Sequence, residues 1–302
     1  MNAGRQGHIR VDIERHRDVQ TDLWSSLVGL LAMPSLRASI AYVLSGLLLF
    51  TGTGAMALER TDRTDLQQLF EENGLEGTFV LFEVSANGLH VVNAARAEQR
   101  FFPASTFKVA NSLIALETGV VADEGEIIPY GGGPQPIESW EADMSMRDAI
   151  RISNVPVYQE LARRVGLDRY EIWLRHQDYG NGQAGDKVDD FWLVGPLAIS
   201  AMEQVGFLAR LAEADLPVST ASQRIVRDIL HHETRGNRTL CAKSGWSTAP
   251  EPQIAWWVGW IEHGDTVYAF APNIDVHSPK QAALREPLAR AFLDALGVWP
   301  SP

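Results

Sequence analysis

From Ala38 to Leu58 no residue carries a charge, and Ile40 to Phe50 (IAYVLSGLLLF) is an apolar run of eleven residues. Beyond it the pattern changes to short segments with strand or helix periodicity. Gly77–Ser85 and Leu89–Asn93 are apolar-rich and are separated by Ala86-Asn87-Gly88, which predicts two antiparallel strands around an Asn-Gly turn. Between Pro103 and Gly119, Phe107, Val109, Leu113, Ile114 and Leu116 recur at helical spacings, predicting a buried helix over Ser105–Thr118 with Ser105 as its cap. A Gly/Pro-rich stretch, 129–136, leads into short amphipathic helices over Met144–Ile152, Pro156–Val165 and Leu167–His176. Helical patterns continue through Ile199–Ala214 and Ala221–His232; strand patterns return over Thr239–Lys243, Gln253–Ile261 and Thr266–Asn273, and Lys280–Leu296 predicts a closing helix. Strand regions near both chain ends around a helical middle predict an α+β fold. One mostly antiparallel sheet draws on both ends, is flanked by helices and carries an inserted all-helical lobe.

The first apolar run is preceded by Arg37 and followed by Ala55-Met56-Ala57, the order of an export signal: positive flank, apolar core, small-x-small cleavage site. A membrane anchor is the alternative, but Thr51-Gly52-Thr53-Gly54 interrupts a stretch already shorter than the roughly 20 residues a span needs. The division expected is therefore an extension and signal peptide over 1–57, cleaved after Ala57, and a single catalytic domain over 58–302. Met33 stands where a start would give a signal of ordinary length. An exported, periplasmic protein follows, touching membrane only during export or through an uncleaved leader.

Charge and cysteine narrow the classes. The 26 Lys and Arg against 38 Asp and Glu give a net charge of −12, and removing residues 1–57, with five Arg and four acids, makes it −13. Such a surface repels phosphate backbones, so nucleic acid is not the expected partner. The single Cys241 excludes an internal disulfide and a cysteine-based zinc site. Hydrophobic residues at 45% and nine Trp supply a sizeable core.

The chemistry concentrates in three places. In Pro103-Ala104-Ser105-Thr106-Phe107-Lys108, the i,i+3 spacing brings the Lys108 nitrogen towards the Ser105 hydroxyl, a poor nucleophile that needs an adjacent base. Backbone N–H groups at the helix start face where negative charge would develop. Ser153-Asn154-Val155 lies at an inter-helix turn and offers a second hydroxyl able to relay a proton. Lys243-Ser244-Gly245 lies on a strand, where a lysine and a hydroxyl can hold a carboxylate and the glycine lets backbone approach a ligand. Elements of these three kinds occur together in serine β-lactamases and penicillin-binding proteins.

The chain resembles the class D, OXA-type serine β-lactamases. The resemblance runs through FFPASTFKVANSLIALETGVV, SNVPVYQELARRVG, Tyr179-Gly180-Asn181, DFWLVGPLAISAMEQVGFL and CAKSGWSTAPEPQIAWWVGW, over nearly all of residues 75–300. It implies the serine β-lactamase and penicillin-binding-protein-like fold, and hydrolysis of penicillin-type β-lactams through a serine acyl-enzyme, conferring antibiotic resistance. It implies Ser105 as nucleophile and Lys108 as general base after N-carboxylation, so that carbon dioxide or bicarbonate is needed but no other cofactor and no metal. Ser153 would relay the proton; Lys243, Ser244, Gly245, Val155 and Arg285 would bind substrate; the backbone N–H groups of Ser105 and Trp246 would form the oxyanion hole; and Val155, Trp192 and Leu193 would wall the modified lysine. Carboxylation needs a neutral amine, which burial favours.

The sequence departs from the family at Lys-Ser-Gly for Lys-Thr-Gly, at Trp246 among varied aromatics, at Tyr130 where many relatives carry Trp, and at Ala249 where some carry a basic residue, so substrate range stays open. A β-lactam sensor would need several spans, and a peptidoglycan peptidase lacks the Trp192 and Tyr-Gly-Asn features. His231-His232-Glu233 reads as a helix end, because adjacent helical histidines diverge and no third zinc ligand is spaced for them. Gly131-Gly132-Gly133 reads as a turn, Trp256, Trp257 and Trp260 as a buried central strand, and Cys241 as strand packing. The expected partner is a small β-lactam, and the expected assembly a monomer or homodimer.

Overall fold

The computed structural model describes residues 57–249 and 251–301. The apolar run and nearly all of the expected leader lie outside the described residues.

Seven strands form the main sheet: β1 (Glu59–Asp62), β2 (Gly77–Glu83), β3 (Gly88–Val92), β6 (His231–Arg235), β7 (Arg238–Ser247), β8 (Gln253–His263) and β9 (Thr266–Val276), in the order β1-β3-β2-β9-β8-β7-β6. The N-terminal and C-terminal strand groups join where β2 pairs antiparallel with β9, in the register Val80↔Ala271. The predicted hairpin is β2–β3, with Asn87 at φ 48° in its turn. One pairing is parallel, β1 with β3. Strand β1 has no apolar alternation and all four residues are exposed, which is why the sequence pattern does not reveal it.

Between β3 and β6 lies the helical part: α1 (Gln68–Glu71) precedes β2, then come α2 (Ala94–Ala97), α3 (Lys108–Glu117), α4 (Met146–Arg151), α5 (Val155–Val165), α6 (Leu167–His176), α7 (Ala201–Ala212) and α8 (Thr220–Ile229). A two-stranded sheet of β4 (Ile127–Ile128) and β5 (Met144–Ser145) closes the loop that contains the Gly/Pro-rich stretch. The chain ends with α9 (Pro279–Ala282) and α10 (Arg285–Ala295). No helix among the described residues is long and apolar enough to cross a membrane.

Successive strand residues face opposite sides, so the sheet supports two cores. Val80, Trp256, Val258 and Trp260 pack with α3, α5 and α7, whereas Phe79, Leu81, Ala255, Trp257 and Ile261 pack with α10 and Phe70. The indole-rich β8 is therefore covered on both faces, as its unbroken apolar run predicts.

Three local expectations are corrected. Ser105 does not cap a helix: it lies within a 3-10 turn, Ala104–Phe107, ahead of α3, and makes no capping hydrogen bond. Its hydroxyl is engaged by Lys108 instead. His231 and His232 belong to β6 rather than to a helix end, because β6 pairs with β7 (His231↔Cys241) across an irregularity between His231 and Glu233. The closing helix is two helices, since Pro287 has no N–H for the carbonyl of Ala283 and the continuous ladder starts only at Leu288.

Candidate active site

The serine turn is strained and held from several sides. Ala104 has φ 49°, rare for a residue with a Cβ, and its N–H donates to the Trp192 carbonyl at 2.9 Å. This conformation presents Ser105 ahead of the first turn of α3. Lys108, the first residue of α3, is fully buried and its Nζ lies 2.9 Å from Ser105 Oγ. Burial, and secondarily the nearby Lys243, hold its amine well below the usual lysine range. Its nitrogen also stands 5.1 Å from the centre of the Tyr158 ring.

Ser153 comes to the same place from the α4–α5 turn. It has φ 60°, and the following Asn154 caps α5 by accepting from the N–H of Val157 at 3.1 Å. Lys243 Nζ donates to Ser153 Oγ at 3.0 Å and to the Ser244 carbonyl at 2.9 Å. Burial first, and the charge of Arg285 second, bring Lys243 down to about 7. Two buried amines beside two hydroxyls thus share one locality, and among the described residues neither amine has a carboxylate partner.

Strand β7 supplies the opposite wall. The β6 pairing stops at the His231↔Cys241 pair, so from Lys243 onward that edge of β7 is unpaired among the described residues. The N–H of Ala242 points across that edge to the Leu230 carbonyl at 3.1 Å, and strand periodicity turns the N–H groups of Ser244 and Trp246 the same way. Gly245 lies directly on the serine turn: a Cβ there would sit 2.9 Å from the Pro103 carbonyl oxygen. The Trp246 indole is anchored by donating to Gln253 Oε1 at 2.9 Å.

Lys243, Ser244, Trp246 and Arg285 line a cleft of about 800 Å³. Ser105 and Lys108 are not in that lining, but Lys243 is, and its charge bears on the buried Lys108 amine. Arg285 donates through Nη1 to the Ala282 carbonyl, and burial lowers its pKa.

Trp192 is fully buried, with its ring 5.5 Å from Phe107 and 5.0 Å from Phe191, and its indole Nε1 has no hydrogen-bond partner among the described residues. A buried donor left without an acceptor costs free energy, on the order of 1–3 kcal/mol. Leu193 and Val155 are half-buried. Tyr179 is buried, while Gly180 passes so close to Ala198 that a Cβ would lie 2.3 Å from its carbonyl oxygen. Asn181 ties this loop by donating to the Pro196 carbonyl and accepting from the Ala198 N–H.

The sequence reading does not identify several contributors. Tyr158 faces Lys108 from α5, and its hydroxyl lies 2.8 Å from Ser112 Oγ. Trp140 reaches the Ser153 turn: its indole donates to the Ile152 carbonyl at 3.2 Å, and Asn154 returns a bond to the Trp140 carbonyl at 3.2 Å. The available signal was Tyr158 standing one helical turn after Val155 on α5. Trp140 has no such signal, because its position depends on the fold of the loop. His232 stands 3.5 Å from Glu286, and burial pushes the Cys241 thiol up to about 12, away from reactive thiolate character.

The family described as penicillin binding protein transpeptidase domain matches residues 57–294. The β-lactamase OXA-48 of Klebsiella pneumoniae is 41% identical over 242 residues, covering 80% of this chain and 91% of that protein. The β-lactamase OXA-5 of Pseudomonas aeruginosa is 38% identical over 254 residues, covering 83% and 95%. Among solved structures, the class D β-lactamase FUS-1 (OXA-85) of Fusobacterium nucleatum subsp. polymorphum superposes with a TM-score of 0.77 at 39% identity, over 79% of this chain and 99% of that one. With Ser105 against a buried Lys108, Ser153 against Lys243, and relatives this similar over nearly their full lengths, the chain belongs to the class D β-lactamases, a family of serine hydrolases.

Proposed function

We propose that this protein hydrolyses the ring amide of penicillin-type β-lactams through an acyl-enzyme on Ser105 and thereby confers antibiotic resistance. The observation that carries the reading is the 2.9 Å contact between Ser105 Oγ and the fully buried Lys108 nitrogen. A serine hydroxyl becomes a competent nucleophile only when a base can take its proton, and burial shifts an amine towards the uncharged form that can act as one.

Carboxylation of Lys108 fits its surroundings: burial disfavours the charged form of the amine, and the Trp192 indole is a buried donor with no acceptor among the described residues. When present, the carbamate would supply a stronger oxygen base, with Trp192 holding it and Val155 and Leu193 excluding water. The chain's own residues account for the remaining steps. Ser105 Oγ attacks the lactam carbonyl carbon as its proton passes to the base. The N–H groups of Ser105 and Trp246 steady the developing oxyanion, for which the free edge of β7 gives support. The carbon–nitrogen bond breaks as Ser153 passes a proton to the leaving nitrogen, with Lys243 at 3.0 Å to replenish it. Water then cleaves the Ser105 ester and gives the ring-opened acid. Lys243, Ser244 and Arg285 hold the substrate carboxylate, and Gly245 lets β7 lie against the serine turn.

In the same reading residues 1–57 direct export, and residues 58–302 act as one catalytic domain in the periplasm. The test is turnover of a chromogenic cephalosporin and a penicillin by the full chain, beside Ser105→Ala. Many turnovers per enzyme, lost in Ser105→Ala, are expected. One stoichiometric burst ending in a stable acyl-protein would make the protein a sensor or penicillin-binding protein instead.

A further inference from the structure

We infer that Gln204 of α7 is a positioning residue for the nucleophile, acting through the hydroxyl of Thr106; the inference rests on the role of Ser105 proposed above. Gln204 Nε2 donates to Thr106 Oγ1 at 2.9 Å, and that hydroxyl donates to the Pro103 carbonyl at 2.7 Å. The same carbonyl accepts the Thr106 N–H at 3.1 Å, so both polar groups of Thr106 close the turn that holds Ser105. Thr106 and Gln204 are each only 1% exposed, so bulk water does not compete for either bond.

The geometry assigns the pair a purpose beyond packing. The turn includes Ala104 at positive φ, a conformation that persists only where its surroundings over-determine it. Two restraints act on it from other elements: the Trp192 carbonyl accepts the Ala104 N–H, and the backbone of Gly245 runs so close to Pro103 and Thr106 that a Cβ would not fit between them. The Gln204–Thr106–Pro103 chain is the third, reaching from a helix 98 residues away in sequence. The Thr106 hydroxyl, engaged as both acceptor and donor, is held in one rotamer in the residue that directly follows Ser105, and so steadies the backbone that aims Ser105 at Lys108. The Tyr179 phenol is buried beside Thr106 and Gln204 without a hydrogen bond of good geometry, which leaves Gln204 as the donor that holds Thr106. The hydrogen bonds of this chain involve Gln204, Thr106 and Pro103 and not Lys243, Ser244 or Arg285, so the expected effect falls on the rate of acylation and not on substrate affinity.

The test is a double-mutant cycle with Gln204→Met, close in volume but without the amide, and Thr106→Val, read as the rate of Ser105 acylation by a fluorescent penicillin per titrated site. Each single variant is expected to slow acylation about 30- to 100-fold, as a displacement of about an ångström does, with half-saturation changed less than threefold. The double variant should be no more than twofold slower than the slower single one, and Thr106→Ser should restore most of the rate. Acylation within twofold of wild type in Gln204→Met, whatever its melting temperature, would overturn the inference, as would effects that multiply. Thr106→Val and Thr106→Ser still decide the matter if Gln204→Met does not fold. A wild-type protein that is acylated but not turned over contradicts the hydrolase reading while leaving this comparison intact; one that is never acylated removes both.

Discussion

Lys243 Nζ meets Ser153 Oγ at 3.0 Å across 90 residues of sequence, joining the outer half of the sheet to the helical lobe. The lysine comes from β7 and the serine from a positive-φ turn, so neither position follows from its neighbours alone. With Lys243 brought down to about 7, its proton is exchangeable near neutrality at the hydroxyl we propose as the relay.

That shift has a consequence for stability. Lys243 has an ordinary pKa of 10.5 when unfolded and about 7 when folded, so between these values the unfolded chain binds the extra proton. The stability of the folded state therefore rises as pH increases through this window, and is lowest below about 7, where the buried amine must be charged. Between pH 7 and 9 wild type should gain up to about 2 kcal/mol relative to Lys243→Met. Urea unfolding at both pH values checks this; equal pH dependence in the two proteins contradicts it. Lys108 shifts in the same direction but is common to both proteins.

Trp192→Phe keeps an aromatic ring against Phe107 and Phe191 while removing the unpartnered indole N–H. On the proposed mechanism this loosens the carbamate, so deacylation should slow at least tenfold, acylation less, and added bicarbonate should recover part of the loss. Pre-steady-state burst kinetics separate the two steps. Equal slowing of both, indifferent to bicarbonate, would assign Trp192 to packing alone.

Two glycines of the sheet should separate chemistry from stability. A Cβ at Gly245 would sit 2.9 Å from both the Pro103 carbonyl oxygen and Thr106 Cγ2, and 3.2 Å from the Thr106 nitrogen, so Gly245→Ala pushes on the serine turn. A Cβ at Gly259 would lie 2.0 Å from the Cys241 carbonyl oxygen, within the β7–β8 pairing and away from that turn. Gly259→Ala should cost about 1–3 kcal/mol of stability with activity per folded molecule kept, whereas Gly245→Ala should lose at least tenfold in kcat at a smaller stability cost. Melting temperature and kcat per titrated site check both variants.

Arg285 stands in the cleft with Lys243 and Ser244, and its guanidinium is already oriented by the Ala282 carbonyl. Removing a charged donor to a carboxylate costs about 1.5–3 kcal/mol, so Arg285→Ala should raise KM for carboxylate-bearing substrates about 10- to 150-fold and leave kcat within about threefold. Steady-state kinetics test this; a loss confined to kcat would place Arg285 outside carboxylate binding.

Much of this was legible in the sequence because it is local. The Ser105–Lys108 spacing is an i,i+3 relation, and the β2–β3 hairpin follows from alternation around Asn87-Gly88. The class-specific residues Trp192 and Tyr179 carry the family resemblance, although the resemblance does not reveal that the Trp192 indole is unpartnered. What was not legible depends on distant backbone. Ser105 reads as a helix cap because Ser followed by a helical pattern usually is one, but Ala104 at positive φ and Trp192 turn the segment into a 3-10 turn. His231 and His232 continue the helical pattern of α8 until pairing with β7 overrides it. Strand β1 has no apolar signal, and the Gln204–Thr106 contact is set by how α7 crosses the serine turn.

Lys108, fully buried beside Ser105, is the base on which the proposed chemistry depends, and its proposed activation by bicarbonate is open to direct test. The direct measurement is turnover of a chromogenic cephalosporin by the full chain after removal of dissolved carbon dioxide, then with added bicarbonate, alongside Lys108→Ala. Turnover that rises with bicarbonate in wild type and stays absent in Lys108→Ala is predicted. Sustained turnover that ignores bicarbonate, or that survives Lys108→Ala, would contradict the account.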